Sequence, residues 1–357
     1  MDLFFALVKS FVLSFFLTIP TIYLAKKYHL VTDQNKRSHP AHTHKGVIPR
    51  GGGIPIFLSF FIITLLSLPF SKIIIGIVLS SLLIVIIGII DDYFDSSPYV
   101  RFVGNILVSA VVVGFGLGIP YVSSPFGGVV RLDHVILPIH LLGTHKIIIL
   151  SDILAVIWLT WTTNMVNWSK GVDGQLPGFV VIACIFLGIL SQRFSGYDIS
   201  AQTVSLLSFI IAGSFLGFLP FNFYPQKIMP GYGGGALAGF LLGVLSILSF
   251  GKIGTALLVL SVPMIDAFYT IVRRLKNRKS PFKADWGHFH HQLLEIGWGR
   301  RRIALFYWIV AFVFGLASLF LKGFGKLVAF TSVGVFLIMF TLIIDQMKKS
   351  RFGKIKK

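Results

Sequence analysis

Between Lys72 and Asp91 the chain runs for 18 residues, IIIGIVLSSLLIVIIGII, without a single charge. A stretch of that length matches the hydrocarbon core of a bilayer, and in lipid a single such stretch satisfies its backbone groups as a helix. It has many companions. Apolar runs fall at residues 3–25, 52–69, 73–90, 101–118, 148–164, 178–192, 202–219, 234–250, 254–272, 303–321 and 326–345. Charged residues make up 13% of the chain, about half the fraction of a soluble domain, too few to coat a soluble core of this size. The expected fold is all-α integral membrane, a polytopic bundle of about ten or eleven transmembrane helices.

The net charge of +19 would suggest nucleic acid in a soluble protein. Here the basic residues stand in short loops between apolar runs, so they imply no nucleic-acid partner. Eleven crossings put the termini on opposite sides. Loops after odd-numbered runs, with the C-terminal tail, hold 24 Lys and Arg; the other side holds 7. The positive-inside bias then places the N-terminus outside and the C-terminus in the cytoplasm, in a multi-pass cell (inner, cytoplasmic) membrane protein. The first run lacks a basic leader and is interrupted by Lys9, so it reads as a retained span. The lone cysteine, Cys184, excludes a disulfide framework and a cysteine zinc site. Residues 1–347 read as one membrane domain and 348–357 as a basic tail. The long outer loop 119–147 contains VVRLDHVILPI, which suits a short hairpin.

Once the chain is oriented, five polar segments fall on the cytoplasmic side. RSHPAHTHKGVIPRGGGIPI brings Lys45 and Arg50 to a glycine triplet whose amides could approach a phosphate; the alternative is a basic loop with a glycine helix start. IDDYFDSSPYVRF carries Asp91, Asp92 and Asp95 at the end of an apolar helix. Acids at a membrane boundary are costly unless they hold a cation or handle a proton. NMVNWSKGVDGQLPG sets Asn164 and Asn167 on one helical face ahead of Lys170 and Asp173, suited to a nucleobase or sugar or simply to capping and a turn. QKIMPGYGGGALAGFLLG is a glycine-rich helix start that also suits close helix packing. SPFKADWGHFHHQLLEIGWGRRR clusters His288, His290 and His291 near Asp285. Histidines could bind zinc, but the nearby Lys and Arg favour an anion. Together these groups suit a reaction between a soluble phosphorylated substrate and a lipid phosphate. Asp266 in SVPMIDAFYTIVRR is the one candidate for a mid-span charge on a transport path.

RSH…PRGGG, DDYFDSSPYVRF, NMVN…GVDG and SPFKAD…HFHHQLL, in order over roughly residues 1–345, resemble the cytoplasmic motifs of the polyprenyl-phosphate hexosamine-1-phosphate transferases of glycosyltransferase family 4. That family includes the enzymes that start enterobacterial common antigen and teichoic acid synthesis, and the phospho-MurNAc-pentapeptide translocase. The PRGGG and HFHH forms look closer to the N-acetylhexosamine branch. The resemblance implies transfer of a sugar 1-phosphate from a UDP-sugar to undecaprenyl phosphate, release of UMP, Mg²⁺ as cofactor, a cytoplasm-facing cleft and a candidate homodimer. It also implies Asp91 and Asp92 as catalytic and metal-holding residues. Substrate binding would fall to Lys45, Arg50, Asn164, Asn167, Lys170, Asp173, His288, His290 and His291. Three positions depart from the family's pattern. Lys170 and Gly231 stand where aspartates are expected, the second a metal ligand, and Trp286 stands for an arginine. The site is therefore more positive than in its relatives. Either Lys170 takes over part of the metal's charge, or the chain is an impaired relative that binds lipid phosphate or nucleotide-sugar without turnover.

Overall fold

The computed structural model describes residues 2–33, 46–140, 144–196, 199–249, 253–282 and 286–355. Thirteen helices follow one another: α1 (Leu3–Lys27), α2 (Gly53–Ser67), α3 (Lys72–Phe94), α4 (Pro98–Gly114), α5 (Ile149–Trp168), α6 (Gln175–Gln192), α7 (Ile199–Asn222), α8 (Gly231–Leu248), α9 (Ile253–Val259), α10 (Ser261–Lys276), α11 (Phe289–Glu295), α12 (Arg300–Phe320) and α13 (Gly323–Ile355). Eight of them are long and apolar enough to cross a membrane. Every apolar run of the sequence is helical, but three fall short of a straight span. α2 and α4 have 15 and 17 residues. The run at 254–272 is broken into α9 and α10, bent by 83°. Pro263 in the first turn of α10 explains the break, because it cannot donate to a carbonyl four residues back. The 119–147 segment forms two hairpins rather than one: Tyr121–Ser123 pairs with Val129–Arg131, and Ile136–His140 with Thr144–Ile148.

Helix α8 is the axis of the bundle. Nearly all of it is buried, enclosed by α2, α3, α5, α6 and α7. Its glycines make this possible. Gly233 lies against Gly88 of α3 so closely that a Cβ on Gly88 would overlap the Gly233 backbone. The glycine triplet serves the same purpose. Gly52 and Gly53 N–H groups donate to the carbonyls of Met229 (3.1 Å) and Pro230 (3.1 Å), tying the start of α2 to the start of α8. Those two amides are therefore committed to packing and are not offered to a phosphate.

A second small-residue seam joins α1 to α7. Ser10 and Ser14 face Gly213 and Gly217, and Ser14 Oγ donates to the Ser214 carbonyl at 2.6 Å. Lipid gives no hydrophobic gain to helix association, so close backbone approach and van der Waals contact drive it. Helices α9, α12 and α13 close the other flank, α12 against α6 and α13 against α10. Gly213→Leu or Gly217→Leu forces α1 off α7, an overpacking cost of about 1–3 kcal/mol. Thermal denaturation in detergent is expected to show a lowered midpoint for either variant. The control Leu66→Ala, at a position 78% exposed, leaves the midpoint unchanged.

Candidate active site

The C-terminal ends of α3, α5, α7 and α10 meet the N-terminal ends of α4, α6 and α8 around a cavity of about 520 Å³. That volume lies in the range of small-molecule sites. Arg50, Asp91, Asp92, Asn164, Asn167, Lys170, His288, His290 and His291 all line it. Residues that are 240 positions apart in sequence thus share one chamber because successive helices alternate in direction.

Asp91 and Asp92 occupy the last turn of α3, both buried. Carboxylates there face the negative end of the helix dipole, so each needs a strong partner. Asp95 caps α3 in a left-handed conformation, and Ser97 accepts the Val100 N–H (3.3 Å) with Pro98 in the first turn of α4. This tight reversal swings Arg101 onto Asp91, forming a direct Nε–Oδ1 ion pair. Asp92 Oδ1 accepts the Tyr232 N–H at 3.0 Å, so it sits at the positive N-terminus of α8. Arg50 Nη1 stands 3.1 Å from Asp95 Oδ1 and 4.0 Å from Asp92 Oδ1.

Gly231 separates Asp92 from Lys170. Its φ is +69°, and a Cβ there would fall on the Asp92 carboxylate. With this backbone the position has no room for an aspartate side chain. Tyr232 is the residue of that turn that presents a side chain to the cavity, and its hydroxyl donates to Asn105 Oδ1 at 3.0 Å. Lys170 Nζ donates to the Gly231 carbonyl at 2.7 Å and lies 5.7 Å from the centre of the Tyr232 ring. Removal from water lowers its pKa to about 8, opposed by the charge of Asp92. Asn164 is held by Thr160 O (2.7 Å) and Asn105 Nδ2 (3.2 Å). Asn167 Oδ1 is buried in the wall with no hydrogen-bond partner among the described residues.

The histidines stand opposite. His288 Nδ1 is 2.9 Å from Asp266 Oδ2, while Asp266 Oδ1 accepts the Phe289 N–H at 2.7 Å. This fixes the His288 ring by its Nδ1, leaving Nε2 as the free edge. The buried Asp266 is thus committed to the site wall rather than to a transport path. His290 stacks on His288 with centroids 5.7 Å apart. Burial and its two histidine neighbours push its pKa well down, so it is a neutral donor or acceptor.

One expected site residue falls elsewhere. Asp173 does not line the cavity. It lies behind the wall, where Oδ2 accepts the Gln226 N–H at 3.4 Å and faces Arg300 at 3.6 Å. Its pKa is raised by burial and partly restored by Arg300. Lys45 lies outside the described residues, as does Asp285. Arg101, Asn105, Tyr232 and Asp266 carry site geometry that the motifs alone had not flagged. Arg101 and Asn105 could have been found from their spacing of four after the α3–α4 reversal, which puts both on one face.

The donor set does not fit Mg²⁺. A magnesium ion takes about six oxygens in octahedral array, several of them from water and substrate phosphate, and is repelled by neighbouring cations. Here one oxygen of Asp91 is taken by Arg101 and one of Asp92 by an amide, the cations Arg50, Arg101 and Lys170 stand in the same chamber, and no cluster of three His, Cys, Asp or Glu side chains suited to a metal occurs among the described residues. The Lys170 ammonium lies close enough to Asp92 and Asp91 for their charges to interact.

Helices and cavity together define a polytopic membrane protein with a densely charged chamber at one end of its bundle. Residues 74–250 match the glycosyl transferase family 4 profile. The decaprenyl-phosphate N-acetylglucosaminephosphotransferase of Mycobacterium leprae is 32% identical over 77% of this chain and 74% of its own length. The undecaprenyl-phosphate alpha-N-acetylglucosaminyl 1-phosphate transferase of Thermotoga maritima is 28% identical, covering 78% of each chain. The phospho-N-acetylmuramoyl-pentapeptide-transferase of Orientia tsutsugamushi is 27% identical over 88% of this chain and 91% of its own. The chain belongs to glycosyl transferase family 4 and is a membrane phospho-sugar transferase.

Arg101→Ala leaves Asp91 buried and unpaired, a loss of about 3 kcal/mol. Thermal denaturation is expected to show a lowered midpoint that Asp91→Asn in the same chain largely restores. A midpoint that stays low in the double variant would assign Arg101 a packing role instead.

Proposed function

We propose that this protein transfers N-acetylhexosamine 1-phosphate from a UDP-sugar to undecaprenyl phosphate, releasing UMP, at the cytoplasmic face of the cell membrane during envelope polysaccharide synthesis. The observation that carries this is the convergence of an acid pair, four cations and three histidines on one cavity at helix ends. The names of the relatives supply the acceptor and sugar classes. The excess of Lys and Arg, 24 against 7, supports a cytoplasmic position for that end.

The bond that forms joins a lipid phosphate oxygen to the sugar-bearing phosphorus of the donor. The bond that breaks runs from that phosphorus to the bridging oxygen, which departs on UMP. Negative charge builds on the bridging oxygen, so catalysis is a matter of alignment and fixed positive charge. Asp92 is the group that accepts the acceptor's proton and aligns it. Asp91 is occupied by Arg101 and positions that guanidinium. Arg50, Arg101 and Lys170 neutralise the diphosphate, and His288, oriented by Asp266, turns Nε2 toward the cavity, an acceptor in the neutral ring and a donor once the ring is doubly protonated. Asn164 and Asn167 face the nucleoside.

Asp92→Asn is expected to lower UMP release from UDP-N-acetylglucosamine and undecaprenyl phosphate by at least about a hundredfold, with the thermal midpoint within a few degrees of the parent. Unchanged turnover removes Asp92 from the reaction. A parent protein that releases no UMP from any of a panel of UDP-sugars, yet binds them in calorimetry, identifies a binding relative.

A further inference from the structure

We infer that Lys170 occupies the place of a divalent cation, so that its ammonium, with Arg50 and Arg101, makes the site independent of added metal. For its turnover arm the inference rests on the function proposed above; its binding arm does not.

Three observations converge. The first is that one oxygen of each acid is already engaged. Asp91 Oδ1 holds the Arg101 guanidinium, and Asp92 Oδ1 holds the Tyr232 amide with Arg50 4.0 Å away. A dication on the remaining oxygens would sit beside the fixed positive charges of Arg50, Arg101 and Lys170.

The second is the placement of Lys170. Its Nζ is anchored at 2.7 Å on the carbonyl of Gly231, the residue packed against the Asp92 carboxylate. The ammonium is thereby held beside the acid pair instead of being left to sample solvent. The Tyr232 ring 5.7 Å away adds a face that favours a cation.

The third is the charge balance. The cavity is lined by three carboxylates, Asp91, Asp92 and Asp95, and by the four cations Arg50, Arg101, Lys170 and Arg274. Pairs without a metal already neutralise the acids. A lysine at this position raises the cost of a bound Mg²⁺ while supplying one positive charge of its own. Ammonium and guanidinium groups stabilise a developing phosphate charge by the same electrostatics as a metal.

Two measurements on the full chain in detergent test this. In the first, Mn²⁺ is titrated and free ion is read by electron paramagnetic resonance. The parent protein is expected to bind no Mn²⁺ that Asp92→Asn removes. Lys170→Asp, which exchanges the ammonium for a carboxylate beside the acid pair, is expected to gain one bound Mn²⁺ and to lose it again when Asp92→Asn is added. A parent that binds Mn²⁺ in an Asp92-dependent way overturns the inference whether or not turnover is found. So does a Lys170→Asp protein that melts normally yet gains no ion.

In the second, UMP release is followed with Mg²⁺ and with EDTA. The parent is expected to keep its rate in EDTA, and Lys170→Met to lose about a hundredfold under both conditions. Lys170→Asp is expected to become Mg²⁺-dependent. Parent turnover that vanishes in EDTA and returns with Mg²⁺ overturns the metal-free site while leaving the proposed transfer intact. Absence of turnover with every donor tells against the transfer instead, and the Mn²⁺ titration then decides the inference alone.

Discussion

Two buried carboxylates at the C-terminus of an apolar helix are the constraint around which the rest of this molecule is arranged. Asp91 and Asp92 suffer both desolvation and the negative end of the α3 dipole. Neither penalty is tolerable without partners, and the fold delivers them from four directions. The α3–α4 reversal brings Arg101, the segment before α2 brings Arg50, the turn after α5 brings Lys170, and the N-terminus of α8 brings the Tyr232 amide. Every one of these elements begins or ends at the cavity.

The axial helix makes that convergence geometrically possible. Gly88 and Gly233 let α3 and α8 approach to backbone contact, which sets the α8 amide against Asp92. A larger residue at either position would push the two helix ends apart and separate the acid from its donor. Packing in lipid and chemistry at the boundary are thus coupled through the same glycines. The glycine triplet at 51–53 is the clearest case: its motif invites a phosphate-cradle reading, yet two of its amides are spent on the Met229 and Pro230 carbonyls.

Much of the scaffold was legible because lipid demands one solution. Uncharged runs long enough to span must be helical, and each run of that kind is a helix here. What was not legible was continuity. The 83° break between α9 and α10 sits inside a run that reads as one span from its hydropathy, and Pro263 is the residue that hints at it. For the site, the acids, asparagines and histidines of the motifs were visible as unusual polar groups beside apolar runs. Arg101 and Tyr232 were hidden, and Asp266 stood out only as a candidate for a transport path, because an arginine, a tyrosine and a single acid each have ordinary roles until the fold sets them within reach of a motif residue. Asp173 shows the converse: its motif was plain, but a left-handed Gly174 at the start of α6 and the pull of Arg300 turn it behind the wall.

The histidine wall completes the electrostatic logic. The acid side of the chamber is charged but internally paired, whereas His290 is kept neutral by burial and by its ring neighbours. Under the transfer proposed above, a diphosphate entering between the two sides would meet the histidine rings across from paired ions, and it would compete with Asp95 for Arg50 and draw Lys170 from the Gly231 carbonyl. Positive charge would then be released toward the substrate as the acids are freed. In such a chamber the ion pairs of the resting protein act as a reservoir, and the cation most exposed to this exchange is Lys170, whose only direct hydrogen bond described is to a neutral carbonyl.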